Sequence, residues 1–590
     1  MPAGSMPWKK PGNAGTVDNM SSVIRQQGGW LQLFPILTIG LFLTSILTGL
    51  LGTWLPAFGY LPVIGYHSLT IQPWIDFFNH PATQGAIRAT LISGLGSTLL
   101  VSGITFLIFS TSYNSGVWKA LQRLLAPLLA VPHAAFAIGF LFLLAPSGWL
   151  FRALSPWLTG FDVPPNWNLM RDSYGISLMV VLVLKEVPFL VLMSISALSR
   201  IDVSHSLAIG RSLGYDTGKV WVKVIMPQMY PKLRLSIFAI LAYSMSVVDI
   251  AQIVGPTIPP TLAVQVFRWF NDPDLSCRLF GSSGATFILF TVIVAIAFIY
   301  LLEYIAKKLL TYWLINGSRQ SNLSLSRPVG QLLIVKIALC SLISVVILVV
   351  WSLTWRWRFP DVLPQSWSLS FWQKGLDNMG IPAWNMVSIG LTAAVIAVII
   401  VIGCLENEIR LLKKGRRANT DKILWMIYLP LLVPQIAFLF GVQVVLVSLR
   451  LDGLWLSLVW SHLLFVLPYV FLTLGPIYRA YDQRMTDVAV TLSGSPWRAF
   501  YRIKLPILLK PILFSLAIGF SVSVAQYLPT LFVGAGRYST VTTEAVALAG
   551  GSDRRIVAVY AIAQLLGPLL LFLIALLFPK IYFRDRKAMQ

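Results

Sequence analysis

HSLAIGRSLGYDTGKVWVKVIMPQ at residues 205–228 and TDVAVTLSGSPWRAFYRIKLPI at residues 486–507 are two imperfect copies of one pattern. Each holds a run of small residues, a glycine near its centre, a basic and aromatic stretch and a closing proline. Aligning Pro227 with Pro506 sets the register between them. In that register Arg200 meets Arg479, Leu213 meets Leu492, Ser236 meets Ser515, Ser244 meets Ser523 and Gly255 meets Gly534. Lys219 with Arg498, Trp221 with Phe500, Lys223 with Arg502 and Val224 with Ile503 are similar pairs. Matched Arg, Gly and Pro are harder to obtain by chance than matched aliphatics, so the chain reads as a duplication. A second landmark agrees. P-x-x-x-F-x-x-G occurs as Pro132, Phe136, Gly139 and again, at a wider offset, as Pro434, Phe438, Gly441. The first half therefore holds about 23 extra residues between the landmarks, which the segment from Phe151 to Tyr174 accommodates as an enlarged external loop.

The surroundings of the two stretches place them beside a membrane. Of the 590 residues 56% are hydrophobic and only 11% charged, against about 25% charged in soluble domains. Runs long enough for a bilayer core of about 30 Å lie at Trp30–Leu51, Thr90–Phe109, Leu124–Leu144, Ile176–Leu198, Leu233–Val254 and Thr286–Ala306. A second six follow at Lys336–Trp355, Met386–Leu405, Ile423–Val447, Leu454–Thr473, Ile512–Val533 and Val557–Leu577. The runs are continuous rather than alternating in segments of about ten residues, which excludes a β-barrel. The expectation is an all-α transmembrane fold of about 12 helices in two homologous six-helix halves.

The net charge of +23 does not point to nucleic acid, because the basic residues sit in short clusters between apolar spans and read as topology signals. Lys119 and Arg123, then Arg200, Arg211, Lys219, Lys223, Lys232 and Arg234, mark cytoplasmic loops of the first half. Arg410, Lys413, Lys414, Arg416 and Arg417, then Arg484, Arg498, Arg502 and Lys504, mark those of the second. Residues 1–29, with Lys9, Lys10 and Arg25, lack the apolar centre of a cleaved signal peptide and read as a cytoplasmic tail. Residues 30–306 form the first membrane domain, 307–332 a polar cytoplasmic linker, 333–579 the second membrane domain and 580–590 a basic cytoplasmic tail. Both termini are expected inside a bacterial inner membrane. The cysteines Cys277, Cys340 and Cys404 form no C-x-x-C pair, so neither a disulfide framework nor a cysteine metal site is indicated.

Both repeated stretches fall between spans four and five of their half. A short helix, a tight turn at Gly214 or Gly494 and a second helix back into the membrane fit each, since glycine takes the positive φ of such a turn at little cost. Ala208, Gly210 and Ser212, and Ala489, Thr491 and Ser493, are small enough to let a partner surface approach.

At these residues the chain resembles the membrane subunits of ABC importers, whose signature loop reads E-A-A-x-x-x-G-x(9)-I-x-L-P. Asp487, Val488, Ala489, Ser493, Ile503, Leu505 and Pro506 occupy those positions in the second copy. Ala208, Ile209, Gly210, Gly214, Val224, Met226 and Pro227 do so in the first, which lacks the acidic residue. Among such permeases the fused six-plus-six kind, for ferric iron and thiamine or of YnjC type, looks most similar. The resemblance implies a type I importer permease fold, in which these loops couple to a separate dimeric ATPase inside the cell while a periplasmic substrate-binding protein docks outside. ATP and magnesium would belong to that partner. The nearest approach to G-x-x-x-x-G-K-[ST] here is Gly214-Tyr215-Asp216-Thr217-Gly218-Lys219-Val220, one residue short between the glycines and without the hydroxyl that would hold magnesium.

Polar groups at membrane depth are candidates for the translocation path, because exposing a charge to lipid costs about 2.5–3.5 kcal/mol. Lys185 and Glu186 in span four, Asp249 and Gln252 in span five, and Gln526 and Tyr527 in span eleven form that set. Asp249 aligns with Leu528, so the path is expected to be asymmetric. His462 reads as a helix-to-helix hydrogen bonder, and Pro188 and Pro468 as kinks in the fourth span of each half. No pair of His or carboxylates stands at a metal-ligand spacing. An ion-coupled secondary transporter is the alternative that Lys185, Glu186 and Asp249 would suit, but it leaves the two repeated loops unexplained. A membrane enzyme would need a catalytic cluster that the sequence lacks.

Overall fold

The computed structural model describes residues 30–167, 169–199, 201–315, 326–415 and 420–583. The N-terminal tail, residues 316–325 of the linker, Arg200, Arg416 and Arg417, and the tail beyond 583 lie outside the described residues.

The first half runs α1 (Leu33–Ala57), α2 (Thr83–Ser112), α3 (Gly116–Ala130), α4 (His133–Leu144), α5 (Ile176–Leu198), α6 (Val203–Ser212), α7 (Met226–Ser246), α8 (Asp249–Val254) and α9 (Cys277–Ile315). The second runs α10 (Ser326–Ser352), α11 (Ser370–Lys413), α12 (Thr420–Leu432), α13 (Gln435–Ser448), α14 (Trp455–Ala480), α15 (Gln483–Ser493), α16 (Leu509–Val524), α17 (Leu528–Gly534) and α18 (Arg554–Tyr582). Among the described residues nine helices are long and apolar enough to cross a membrane, or eleven if each of two bent pairs is one span.

Several expected spans are not continuous. Leu124–Leu144 divides at Val131–Pro132 and Ile423–Val447 at Val433–Pro434, where α12 and α13 meet at 87°. Proline has no N–H, its ring collides with the preceding turn, and it drives the residue before it out of the helical region. Val131 accordingly has ψ 119°, and Pro132 and Pro434 cap α4 and α13. Leu233–Val254 divides at Val247–Val248 and Ile512–Val533 at Ala525–Tyr527. The linker is shorter than its composition suggests, since helix continues through Ile315 and resumes at Ser326. The span expected at Lys336–Trp355 ends at Ser352 and gives way to a small antiparallel hairpin, β1 (Thr354–Arg356) with β2 (Ser366–Trp367), so the chain is not wholly helical. Pro188 and Pro468 both lie inside unbroken helices.

The two halves interlock. A Cβ on Gly441 of α13 would stand 1.8 Å from the Gly49 carbonyl oxygen of α1. The Gly441 N–H donates to Thr53 Oγ1 (3.2 Å), whose hydroxyl donates to Gly49 O (3.0 Å). Reciprocally, a Cβ on Gly139 of α4 would lie 2.2 Å from Ser344 O of α10. The glycine of each P-x-x-x-F-x-x-G copy is thus where the first helix of the opposite half crosses at backbone contact, the packing that small residues permit between membrane helices. Farther along, the enlarged loop is tied to the second half by Arg152. Its buried guanidinium donates to Arg358 O (2.6 Å) and lies 4.8 Å over the Trp357 ring.

Candidate functional site

Each repeated stretch forms the expected helix–turn–helix. Asp202 caps α6 by accepting the His205 N–H (3.0 Å), and Asp482 caps α15 by accepting the Arg484 N–H (3.0 Å). The His205 N–H and the Ser204 hydroxyl hold the Asp202 carboxyl below the usual carboxylate range, the response of an anion to hydrogen bonds that favour it. Gly214 (φ 79°) and Gly494 (φ 63°) both make the turn in the left-handed region. Asp482 and Gly494 each stand one position later than the register set by Pro227 and Pro506 would put the counterparts of Asp202 and Gly214. The next cap follows Gly214 at Asp216, with Tyr215 between them, but follows Gly494 immediately, at Ser495. The short turn in the second copy restores the register. This slip by a single position is why a serine, Ser493, stands at the signature's glycine position.

After each turn comes a five-residue π-turn, Trp221–Ile225 or Phe500–Lys504. Pro227 and Pro506 follow it, each within the first two residues of the next helical segment. Such wide turns absorb a missing backbone donor and recur at functional places.

The small residues serve different purposes. Gly210 is buried inside the hairpin, where a Cβ would meet Val220 at 2.2 Å, so it fits the hairpin to itself rather than to a partner. Ala208 is exposed, while Ala489 and Ser493 are half-buried. Asp487 is exposed and already paired, its Oδ1 2.5 Å from Lys413 Nζ at the end of α11. Both helices also offer apolar side chains outward. Ile209 and Leu213 project from the first, Met485, Val488 and Leu492 from the second, with Leu213 56% and Leu492 83% exposed.

A cavity of about 200 Å3 lies between the halves, and all four helix breaks converge on it. Val131 to His133, Val247 to Asp249, Val433 with Gln435, and Ala525 to Tyr527 line its wall, together with Lys185 and Glu186 of α5. Five of the six candidate path residues, Lys185, Glu186, Asp249, Gln526 and Tyr527, are therefore brought together. Gln252 joins them indirectly, accepting a hydrogen bond from Tyr527 Oη (2.9 Å) that bridges the halves. Lys185 and Glu186 do not pair with each other. Lys185 Nζ donates to Leu128 O (3.3 Å) and Val131 O (2.7 Å) at the broken end of α3, and Glu186 Oε1 stands 3.6 Å from His133 Nε2.

No family model matches the chain. Comparison with individual proteins does find relatives. YnjC of Escherichia coli K12, an inner membrane ABC transporter permease protein, is 31% identical over 513 residues, covering 87% of this chain and 91% of that protein. The chain is an ABC transporter permease. PhnV of Salmonella typhi, named for 2-aminoethylphosphonate transport, is 25% identical over 187 residues, covering 31% of this chain and 68% of that protein. The cysT permease of Anthoceros angustus, named for sulfate transport, is 34% identical over 83 residues, covering 13% of this chain and 29% of that protein. The permease is a multi-pass inner-membrane protein.

Some of the permease's arrangement was hidden in its sequence. His133 opens α4 directly after Pro132 and looked like any residue past a proline, yet it faces Glu186. Tyr243 and Tyr469 line the cavity but resemble ordinary membrane aromatics. Lys504, counted as a topology signal, is instead fully buried and bonded to Glu406, which Tyr478 also contacts. Beside them Arg479 grips Glu408 with two bonds of 2.9 Å. His462 behaves as expected, its ring nitrogens 2.7 Å from Ser523 Oγ and 3.0 Å from Thr530 Oγ1.

Proposed function

We propose that this permease forms the translocation path of a binding-protein-dependent importer and is driven by a separate ATPase dimer. The α6 and α15 hairpins dock on the ATPase subunits at the cytoplasmic face, and the cavity carries the solute handed over by a periplasmic binding protein. ATP and its magnesium are held by the partner, and this chain itself carries no catalytic step. One observation supports this above the rest: two hairpins, one per half, hold exposed leucines at the tip of a rigidly capped helix. An exposed leucine loses about 1.5–3 kcal/mol of burial that a docked surface recovers. Each hairpin is also firmly coupled to the membrane bundle. Trp221 packs 6.2 Å from Phe109 and 5.2 Å from Tyr113 at the end of α2, and Asp487 holds the end of α11. Movement of a docked subunit would reach the cavity through α7 and α16, which follow the hairpins and line it.

Cysteine cross-linking tests the docking directly. In a background with Cys277, Cys340 and Cys404 replaced by serine, Leu213→Cys and Leu492→Cys should each cross-link to the co-purifying ATPase. Leu158→Cys, in the external loop, should not. If the ATPase co-purifies yet neither hairpin position reaches it, the docking assignment is wrong.

A further inference from the structure

We infer that the central cavity selects a positively charged organic solute, an inference that rests on the cavity being the translocation path. Two carboxylates line it, Glu186 at 6% and Asp249 at 8% exposure. One ammonium, that of Lys185, shares the wall with them, so with His133 counted as neutral the lining carries one net negative charge. The Lys185 ammonium keeps its charge but is directed at the Leu128 and Val131 carbonyls. His133 is the one basic side chain within 4 Å of either carboxylate among the described residues, at 3.6 Å from Glu186. Asp249 has no side-chain donor among the described residues, although it is nine-tenths buried. The helix ends at the breaks do not alter this balance, because each break presents one carbonyl end and one N–H end whose partial charges oppose each other. The excess of negative charge is therefore a single formal unit.

The rest of the wall defines the cation's kind. Tyr243 and Tyr469 stand beside the carboxylates, and aromatic faces attract ammonium groups within about 6 Å. No group of three or more His, Cys, Asp and Glu able to hold a metal ion occurs among the described residues. At about 200 Å3 the space falls below the ~300–1,000 Å3 of drug-sized ligand sites, which fits a small solute. An anion such as sulfate would enter against two carboxylates with one lysine to meet it.

The test measures the cavity's sign without knowing the solute. Ser521, which lines the cavity, is changed to Cys in the cysteine-free background, and the permease is placed in lipid nanodiscs with its ATPase under ATP turnover. Modification rates are compared for trimethylammonium-bearing, sulfonate-bearing and neutral methanethiosulfonates, each normalised to its rate with free cysteine. A cleft of one charge sign raises counter-ion concentration by about 10–10³-fold, so the cationic reagent should react at least about tenfold faster than the anionic one. Glu186→Gln with Asp249→Asn should collapse that ratio toward one. Equal rates, or a faster anion, with the neutral reagent still reacting, would overturn the charge inference and leave the path intact. Failure of the neutral reagent to react would instead overturn the path on which the inference rests.

Discussion

Leu492→Arg, and to a lesser extent Leu213→Arg, should uncouple the permease from its ATPase while leaving it folded. Leu492 is 83% exposed and Leu213 56%, so neither supports the fold, and surface substitutions of this kind usually change stability by less than about 0.5 kcal/mol. In a docked interface the balance reverses. The leucine's burial, worth about 1.5–3 kcal/mol, is lost, and a guanidinium must be desolvated without a designed partner. Each 1.4 kcal/mol is about tenfold in affinity, so each hairpin's affinity should fall at least about tenfold. The double variant should lose the ATPase on co-purification and its stimulation of hydrolysis. Leu492→Met, which keeps shape and polarity, should behave as the parent. Unchanged co-purification of the double variant at matched expression would contradict the docking.

Lys504→Ala should be clearly destabilising. The Lys504 side chain is almost wholly buried, bonded to Glu406, 3.4 Å from Gln483 Oε1 and 4.6 Å from the Tyr478 ring centroid. Removing it leaves Glu406 facing the Tyr478 hydroxyl with its cation gone. Breaking a fully buried pair from one side costs about 3–5 kcal/mol, but a quarter of the Glu406 side chain is exposed and water can meet its carboxylate, so the loss should be about 1–3 kcal/mol. The first half offers a natural comparison. At the matching end of its π-turn stands Ile225, fully buried in an apolar cluster against which Ile104 packs. Ile104 is also the residue that falls on Glu406 when Pro132 is aligned with Pro434. The repeat has solved the same site once with aliphatics and once with ions. Glu406→Ile with Lys504→Ile should therefore recover most of the loss, because well-packed apolar replacements of buried pairs are often neutral or better. Thermal unfolding of the detergent-solubilised variants checks both results. An unchanged unfolding temperature in Lys504→Ala would show that the pair does not anchor this hairpin, and equal losses in the single and double variants would show that aliphatics cannot take its place.

The duplication, the two hairpins and their turn glycines were legible because they depend on residues with few alternatives. Only glycine takes the left-handed turn freely. Proline marks the breaks before His133 and Gln435, yet Leu124–Leu144 and Ile423–Val447 read as continuous runs. The breaks at Val247–Val248 and Ala525–Tyr527 carry no such mark, so both spans read as continuous. Charge was harder still. Lys504 in a basic loop reads as a topology signal until Glu406, far upstream on α11, is seen against it. The Leu128 and Val131 carbonyls that Lys185 bonds at the broken end of α3 are equally hidden. In both cases the partner comes from tertiary structure, and periodicity holds no trace of it. The offset of Gly494 from the signature's glycine position is visible in the sequence, but the cap and turn geometry that accounts for it is not.

The central claim is that one copy of this chain carries both docking sites, one in each half. Native mass spectrometry of the complex purified from membranes through a tag on this chain measures it without knowledge of the solute. The expected species is one permease chain with two ATPase subunits, reduced to the bare permease by Leu213→Arg with Leu492→Arg. A complex of two permease chains with two ATPase subunits, or a permease that never carries an ATPase, would contradict it.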